Sequence, residues 1–482
     1  DYKNTSLTWY AQADYNYRNR YFLQVAASME SSSTFGKKAT SLRIGDVAWG
    51  FFPSIQAGWV VTNENWAPKN KNFNYLRLNA GYEVTGNDNI NNKAARTSFE
   101  VLKFLHNNIP AVQLNNIGNE NITYEKTRRF YTGFESQWLE NRLGLDFTFF
   151  FNHTTNLLTL KDFTTPVAGV KSYWSNEGSL DNKGVEVHIN GKPIVSRKFT
   201  LELGASIGHY LNVIKSLPNN TTLALNGQEN AAVGYTSSIY GNQNIATLVN
   251  HSAGVFYGYK TAGVFSTDAE AKAAGKDGYL YQVDETGAKS YFKAGDMHFV
   301  DLNGDGIINE SDKTIIGNPN PKLYGNFFAH ATWGNLTLSA IFGYSIGNDI
   351  YNYQRSILEG GNNFYNQTSA MTDRWRVEGQ VTNMPRISYG DEMGNSRFSD
   401  RWIEDGSYLK LRSLNVNYKI PVNSSWLQGL QVWAEANNLF TISKYLGGDP
   451  EMSVSNAVLY QGIDIGCVSQ GRTFTVGVKI NL

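Results

Sequence analysis

Hydrophobic alternation with a period of two, sustained for a dozen residues at a time, constrains this chain more than any single motif in it. From Ser6 onward, Leu7, Trp9, Ala11, Ala13, Tyr15 and Tyr17 fall on one face, and Thr8, Tyr10, Gln12, Asp14 and Asn16 on the other. Period two is the mark of a half-buried strand, and this one outlasts the usual globular strand of about five or six residues. A polar turn at Arg18-Asn19-Arg20 reverses it, and Tyr21, Leu23, Val25, Ala27 and Met29 resume the apolar face. The signal recurs at Ile55–Val61, Leu76–Val84, Arg129–Trp138, Leu143–Phe151, Val185–Ile189, Phe199–Ile207, Phe327–Trp333 and Leu336–Phe342. It returns over Tyr408–Ile420, with a parity switch between Arg412 and Leu414 that predicts a β-bulge, and again from Leu430 and from Thr473. These segments amount to about 13 strands.

Alternation alone also fits a soluble sandwich; loop lengths and mid-strand charge separate the two. Short turns near Asn19, Asn141, Ser196, Gly334 and Asn423 alternate with long insertions at 87–126, 211–320, 349–404 and 442–470. That asymmetry is the pattern of outer-membrane barrels, with tight turns on one side and long loops on the other. Arg77, Glu83, Asp146 and Glu202 in mid-strand would be costly against lipid and cheap against a water-filled lumen. Trp138, Trp333 and Trp426 sit beside short turns, where an interfacial aromatic girdle belongs. Tyr 28, Phe 26, Trp 11 and Gly 45 suit a lipid-facing skin around a wet interior.

Lys+Arg 42 against Asp+Glu 42 leaves no basic footprint for nucleic acid. No run of about 18 apolar residues offers a membrane helix. Cys467 is the only cysteine, so no disulfide forms within the chain. The start at Asp1-Tyr2-Lys3-Asn4 has neither initiator Met nor secretory signal and reads as the middle of a longer protein.

One loop carries cation chemistry. In Asp301-Leu302-Asn303-Gly304-Asp305-Gly306-Ile307-Ile308-Asn309-Glu310-Ser311-Asp312, side-chain oxygens alternate, a glycine follows, and a carboxylate closes the stretch. The spacing lets one backbone turn wrap a hard cation: Asp301, Asn303, Asp305 and Asp312 through side chains, Ile307 through its carbonyl, and Asn309 through water. Gly306 permits the sharp reversal. The closing residue is Asp where an EF-hand has Glu, so flanking helices are not implied. The cation expected is Ca2+ in a structural role; the competing reading is a surface Asx/Gly turn without metal.

Catalytic patterns fail on context. Gly204-Ala205-Ser206-Ile207-Gly208 and Gly343-Tyr344-Ser345-Ile346-Gly347 lie in or at the end of alternating strands, whereas a nucleophile elbow needs strand-turn-helix. The seven His show no zinc-ligand spacing. Glu404 and Asp405 are adjacent on a strand and point to opposite faces. No phosphate loop is present, and the chain is expected not to be an enzyme. Trp174, Tyr257, Tyr259 and Trp375 in the long loops could stack on sugars or pack the loops, and packing is the role expected of each.

Several segments together resemble the SusC/RagA-like branch of TonB-dependent outer-membrane transporters of the Bacteroidetes. They include Gly50-Phe51-Phe52-Pro53-Ser54 with Ala57-Gly58-Trp59, Leu76…Thr85-Gly86-Asn87, and Asn182-Lys183-Gly184-Val185-Glu186. Tyr257-Gly258-Tyr259-Lys260, Gly263, Gly295-Asp296, the acidic loop, Gly317-Asn318-Pro319 and Pro321-Lys322 follow in the same order. Asp373-Arg374-Trp375, Glu404–Arg412, Asn437-Asn438-Leu439-Phe440, Tyr445 and Asp449-Pro450-Glu451 complete the set. Val468–Arg472 and the terminal Leu482 depart from the family's ending.

The resemblance implies an all-β, transmembrane antiparallel barrel with long extracellular loops. Residues 1–482 would be its C-terminal part, and a full barrel has about 22 strands. The plug domain, the TonB-contacting segment and the first strands would lie outside this chain. It further implies import of glycan or peptide oligomers, energised through TonB, under a SusD-like surface lipoprotein that closes as a lid. Outer-membrane lipid would surround the barrel, and the C-terminus would be periplasmic. Asp1 would then lie on the extracellular side, and Leu7–Tyr17 and Thr473–Leu482 would each pair with a strand outside this sequence. The alternative from another class is a soluble, secreted, calcium-binding β-rich adhesin or glycan-binding protein, and a third reading is a β-rich hydrolase.

Overall fold

The computed structural model describes residues 5–36, 38–39, 42–45, 47–68, 70–90, 94–104, 109–167, 169–218, 221–422, 426–455 and 457–481. Expectations placed on Asp1, on the turn at Asn423 and on Leu482 lie outside these residues. The chain divides into two compact units, Asp1–Asn219 and Asn220–Leu482.

The first unit is a meander of eight long strands: β1 Ser6–Tyr17, β2 Tyr21–Ser32, β3 Val47–Val60, β4 Phe73–Asn87, β5 Glu125–Trp138, β6 Leu143–Thr155, β7 Ser179–Val195 and β8 Phe199–Ser216. Each pairs antiparallel with the next. The second unit contains a meander of five, β9 Leu323–Trp333, β10 Leu336–Ile346, β11 Tyr408–Ile420, β12 Gly429–Ser443 and β13 Thr473–Asn481, again paired in sequence order.

Period two becomes two faces. In the first unit Trp9, Tyr15, Leu23, Val25, Ile55, Leu78, Tyr82, Phe130, Ile189, Leu203 and Ile207 are exposed large apolar side chains on one side of the sheet. The other side carries Asp14, Gln24, Gln56, Arg77, Asn79 and Glu135 around a recess of about 440 Å³. Gln24 donates to Asp14 at 2.8 Å across the β1–β2 pair. A water-soluble sandwich buries its apolar face; this sheet exposes it and gathers polar side chains on the other, the division of faces a membrane barrel wall has.

Tight turns require left-handed backbone where they reverse. Arg18 and Asn19 take φ of 54° and 53°, Leu139, Glu140 and Asn141 take 59°, 59° and 64°, and Gly334 takes 57°. Asn19 offsets part of that cost by donating its backbone amide to Asn16 Oδ1 at 2.9 Å. The parity switch in β11 is a bulge: Ile341 faces Ser413 and Phe342 faces Leu411, leaving Arg412 extra. Among the described residues strand β1 pairs only with β2, and all twelve of its residues are exposed. In β13, which among the described residues pairs only with β12, every residue but Gly477 is exposed.

The long connections hold small folded bodies. In the second unit Thr222–Leu225, Gln228–Ser237, Ile245–Leu248, Val255–Tyr259 and Lys313–Gly317 form a five-stranded sheet. Beside it Phe265, Leu280, Phe292, Met297 and Phe299 share a core with Tyr259, Ile308 and Met393. Each fully buried ring there contributes roughly 1.5–3 kcal/mol.

A candidate cation loop beside an aromatic cavity

The acidic loop leaves the core at Phe299 and returns to it at Lys313, so both of its ends are anchored by sheet. Between them the chain winds on its own side-chain oxygens. Asp301 accepts the amides of Gly304 and Gly306, both at 2.7 Å. Asn303 accepts from Asp305 at 3.0 Å, and Asp305 from Ile307 at 2.7 Å. Asp312 accepts from Leu302 and from Asn309, both at 2.9 Å, closing the stretch on itself. Gly304 and Gly306 stand at φ of 75° and 81°, with nothing within 4 Å of where a Cβ would be. Side chains at those positions would be strained by backbone, not by crowding.

The structure therefore brings Asp301, Asn303, Asp305 and Asp312 into one turn, with Ile307 inside it. Burial pushes the Asp312 carboxyl up from its ordinary range, and the charges of Asp301 and Asp305 push the same way. None of the three carboxylates pairs with Lys, Arg or His among the described residues; the nearest ion pair is Lys313 with Glu310 at 2.8 Å. Three carboxylates, an amide oxygen and a backbone carbonyl are hard oxygen donors, and their uncompensated charge suits a divalent cation. Among the described residues no three acidic, His or Cys groups converge on one point, so a bound cation would have to draw these oxygens inward.

The loop also forms one wall of a cavity of about 470 Å³, to which it contributes Glu310 and the following Lys313. Tyr240, Tyr259, Tyr351, Tyr353 and Trp402 supply aromatic surface. The Tyr240 and Tyr353 rings lie 5.1 Å apart. Tyr259 donates to Glu310 at 3.4 Å, and Lys313 lies 5.5 Å from the Tyr259 ring centroid. Arg397 stacks on Tyr259 and Phe299, 5.2 and 4.6 Å from their centroids, and burial pushes its pKa down.

The remaining sequence candidates sit in structural roles. Ser206 lies 3.0 Å from His188 on β8, and Ser345 donates to Asn348 at 2.7 Å at the end of β10; neither stands on a strand-turn-helix elbow. Glu404 holds Arg355 and the Leu446 amide, while Asp405 caps the Ser407 amide. Tyr257 and Tyr259 are buried, Trp375 donates to the Ser266 carbonyl at 3.1 Å, and Trp174 packs on Ala94, Ala95 and Ile122. Packing is thus what these aromatics do, although Tyr257 and Tyr259 also line the cavity. The cavity itself had no sequence signal, because its rings come from three separate segments, Tyr240 to Tyr259, Tyr351 to Tyr353 and Trp402.

No family model matches the chain. It is 27% identical over 484 residues to TonB-dependent receptor P3 of Formosa agariphila, covering 98% of this chain and 45% of the relative. It is 26% identical over 499 residues to TonB-dependent receptor SusC of Bacteroides thetaiotaomicron, covering 99% and 44%. Among solved structures, the RagAB peptide importer in its closed-closed state superposes with a TM-score of 0.77 at 21% identity, over 98% of this chain and 47% of that one. The chain thus spans a little under half the length of the relatives it matches. Long antiparallel meanders with exposed apolar faces are those of an outer-membrane β-barrel fold, and the chain is similar to TonB-dependent receptors. Among these it is similar to SusC in sequence and to the RagAB importer in fold. These relatives are named as receptors and carry no enzyme name.

Proposed function

We propose that this chain builds part of the wall and the outer loops of a SusC-like importer, which takes up glycan or peptide oligomers across the outer membrane. The observation that carries this is the match to SusC across 99% of the chain, combined with a sheet whose apolar face is turned outward. A SusD-like lipoprotein lid sits over the loops, and TonB supplies energy through a plug held within the completed barrel. The long loops, 349–404 among them, face the cell exterior, and β1 and β13 pair at their free edges with strands from the rest of the barrel.

The acidic loop takes Ca2+ as a structural ion through Asp301, Asn303, Asp305, the Ile307 carbonyl and Asp312. The ion neutralises three carboxylates that the fold leaves without a cationic partner. The test of the import reading is uptake of fluorescently labelled glycan and peptide oligomers by cells with and without this protein. Loss of uptake of one oligomer class on deletion, restored by the intact protein, supports the reading. Uptake unchanged for every oligomer tested, together with extraction of the protein without detergent, contradicts it.

A further inference from the structure

On the outward, apolar face of β1–β8, charge is confined to one corner. Following the strand registers, the outward positions of all eight strands carry only four Asp, Glu, Lys or Arg residues, Lys126, Arg128, Asp181 and Lys183, and Lys215, the extra residue of a bulge, joins them through Asp181 as a fifth. All five lie on β5, β7 and β8, at the ends that lead into long connections. Arg128 sits opposite His153, and His153 opposite Asp181, so one row crosses three adjacent strands about 4.8 Å apart. Lys183 stands two residues along from Asp181 and opposite Phe151 and Leu211.

Four cations face one carboxylate in this corner. Asp181 is already shared, 2.6 Å from His153 and 3.5 Å from Lys215. Lys126, Arg128 and Lys183 make no ion pair among the described residues, and Arg128 and Lys183 are exposed. Toward the short turns the same face continues as Phe130 and Phe151, then Phe134, Phe147, Val187 and Ile207, and ends at Trp138 and Leu143. Cations at the edge of a lipid-facing band cost little there and reach the headgroup layer, where anionic groups attract them.

We propose that this corner is a binding surface for the phosphate-bearing headgroup of a lipid in the leaflet on the long-loop side. Lys126, Arg128 and Lys183 hold the phosphates, and the acyl chains lie along Phe130, Phe151 and Leu211. A headgroup anion joined to an apolar tail is what a basic row running into an apolar band complements. An acidic protein surface would match the row and leave the band uncovered. The proposal rests on the reading of the sheet as a membrane-spanning wall with its long loops outward.

The test uses the intact protein purified from its native membrane and exchanged into phosphatidylcholine nanodiscs doped with bisphosphorylated lipid A, with dephosphorylated lipid A, or with neither. Retained lipid is measured by native mass spectrometry. The wild-type protein should retain the phosphorylated lipid several-fold over its dephosphorylated form. Lys126→Gln, Arg128→Gln and Lys183→Gln should each weaken retention by roughly fivefold. Inorganic phosphate alone, at equal concentration, should fail to displace the lipid. Equal retention of the two lipids by the wild type overturns the proposal without reference to any variant and leaves the membrane reading standing. Displacement by free phosphate, or binding of an acidic protein at this corner with no lipid preference, overturns it as well. A protein that does not enter nanodiscs at all contradicts the membrane reading itself and the proposal with it.

Discussion

The Asp312 carboxylate accepts the Leu302 amide at 2.9 Å, ten residues upstream, so the last residue of the acidic loop ties down its second. The other oxygen of Asp312 takes the Asn309 amide, and the loop is thereby wound before any ion is considered. If Ca2+ is what this winding serves, Asp305→Asn should weaken its binding by about tenfold through loss of one ligand charge. Asp312→Ala should abolish binding and release the wound backbone as well. Calorimetric titration with Ca2+, with Mg2+ as the control ion, checks this; equal heats for the wild type and Asp305→Asn would remove the loop from consideration.

Lys410 enters the interior from β11, with its ammonium 3.0 Å from both Asp449 and Glu451. Its side chain and that of Asp449 are almost wholly buried, so each charge depends on the other for compensation. Lys410→Met keeps the volume and strands the carboxylates, which should cost about 3–5 kcal/mol locally. Residues 444–472 should become protease-sensitive in that variant. Adding Asp449→Asn and Glu451→Gln should restore most of the resistance; an unaltered digestion pattern in Lys410→Met would show the network to be dispensable.

His298 stacks on Phe265 with centroids 4.3 Å apart, and burial holds its pKa below the ordinary 6.5, against the opposing pull of Glu270. A depressed folded pKa means the neutral ring is favoured in the native state. That contribution is complete above 6.5 and is lost as pH falls through the lower folded value. Protection factors for Phe265–Phe299 should therefore drop between about pH 7.5 and about pH 5.5. His298→Phe should remove most of the change, and a wild-type profile flat across that range would rule the mechanism out.

The barrel strands were legible because their two faces meet different media. Tyr408–Ile420 was readable to the residue, and the parity switch located the bulge at Arg412. Strands such as β8 ran further than the alternation suggested, to Ser216, since side chains beyond Ile207 change character near the rim. The small sheets inside the long connections were invisible. Val255–Tyr259 is buried on both faces, so it offers no period to read. Oxygen spacing exposed the acidic loop because its partners are local in sequence. The cavity and the Lys410 network were hidden because theirs are not.

The proposed orientation puts short turns inside and long connections outside. Val381, in the 349–404 connection, is 90% exposed, and Asn141 occupies a tight turn between β5 and β6. With Cys467 replaced by serine, Val381→Cys and Asn141→Cys are to be labelled in intact cells by a membrane-impermeant maleimide. The account predicts that Val381→Cys labels at once and Asn141→Cys only after the outer membrane is permeabilised. Labelling of Asn141→Cys in intact cells while Val381→Cys stays protected would contradict it.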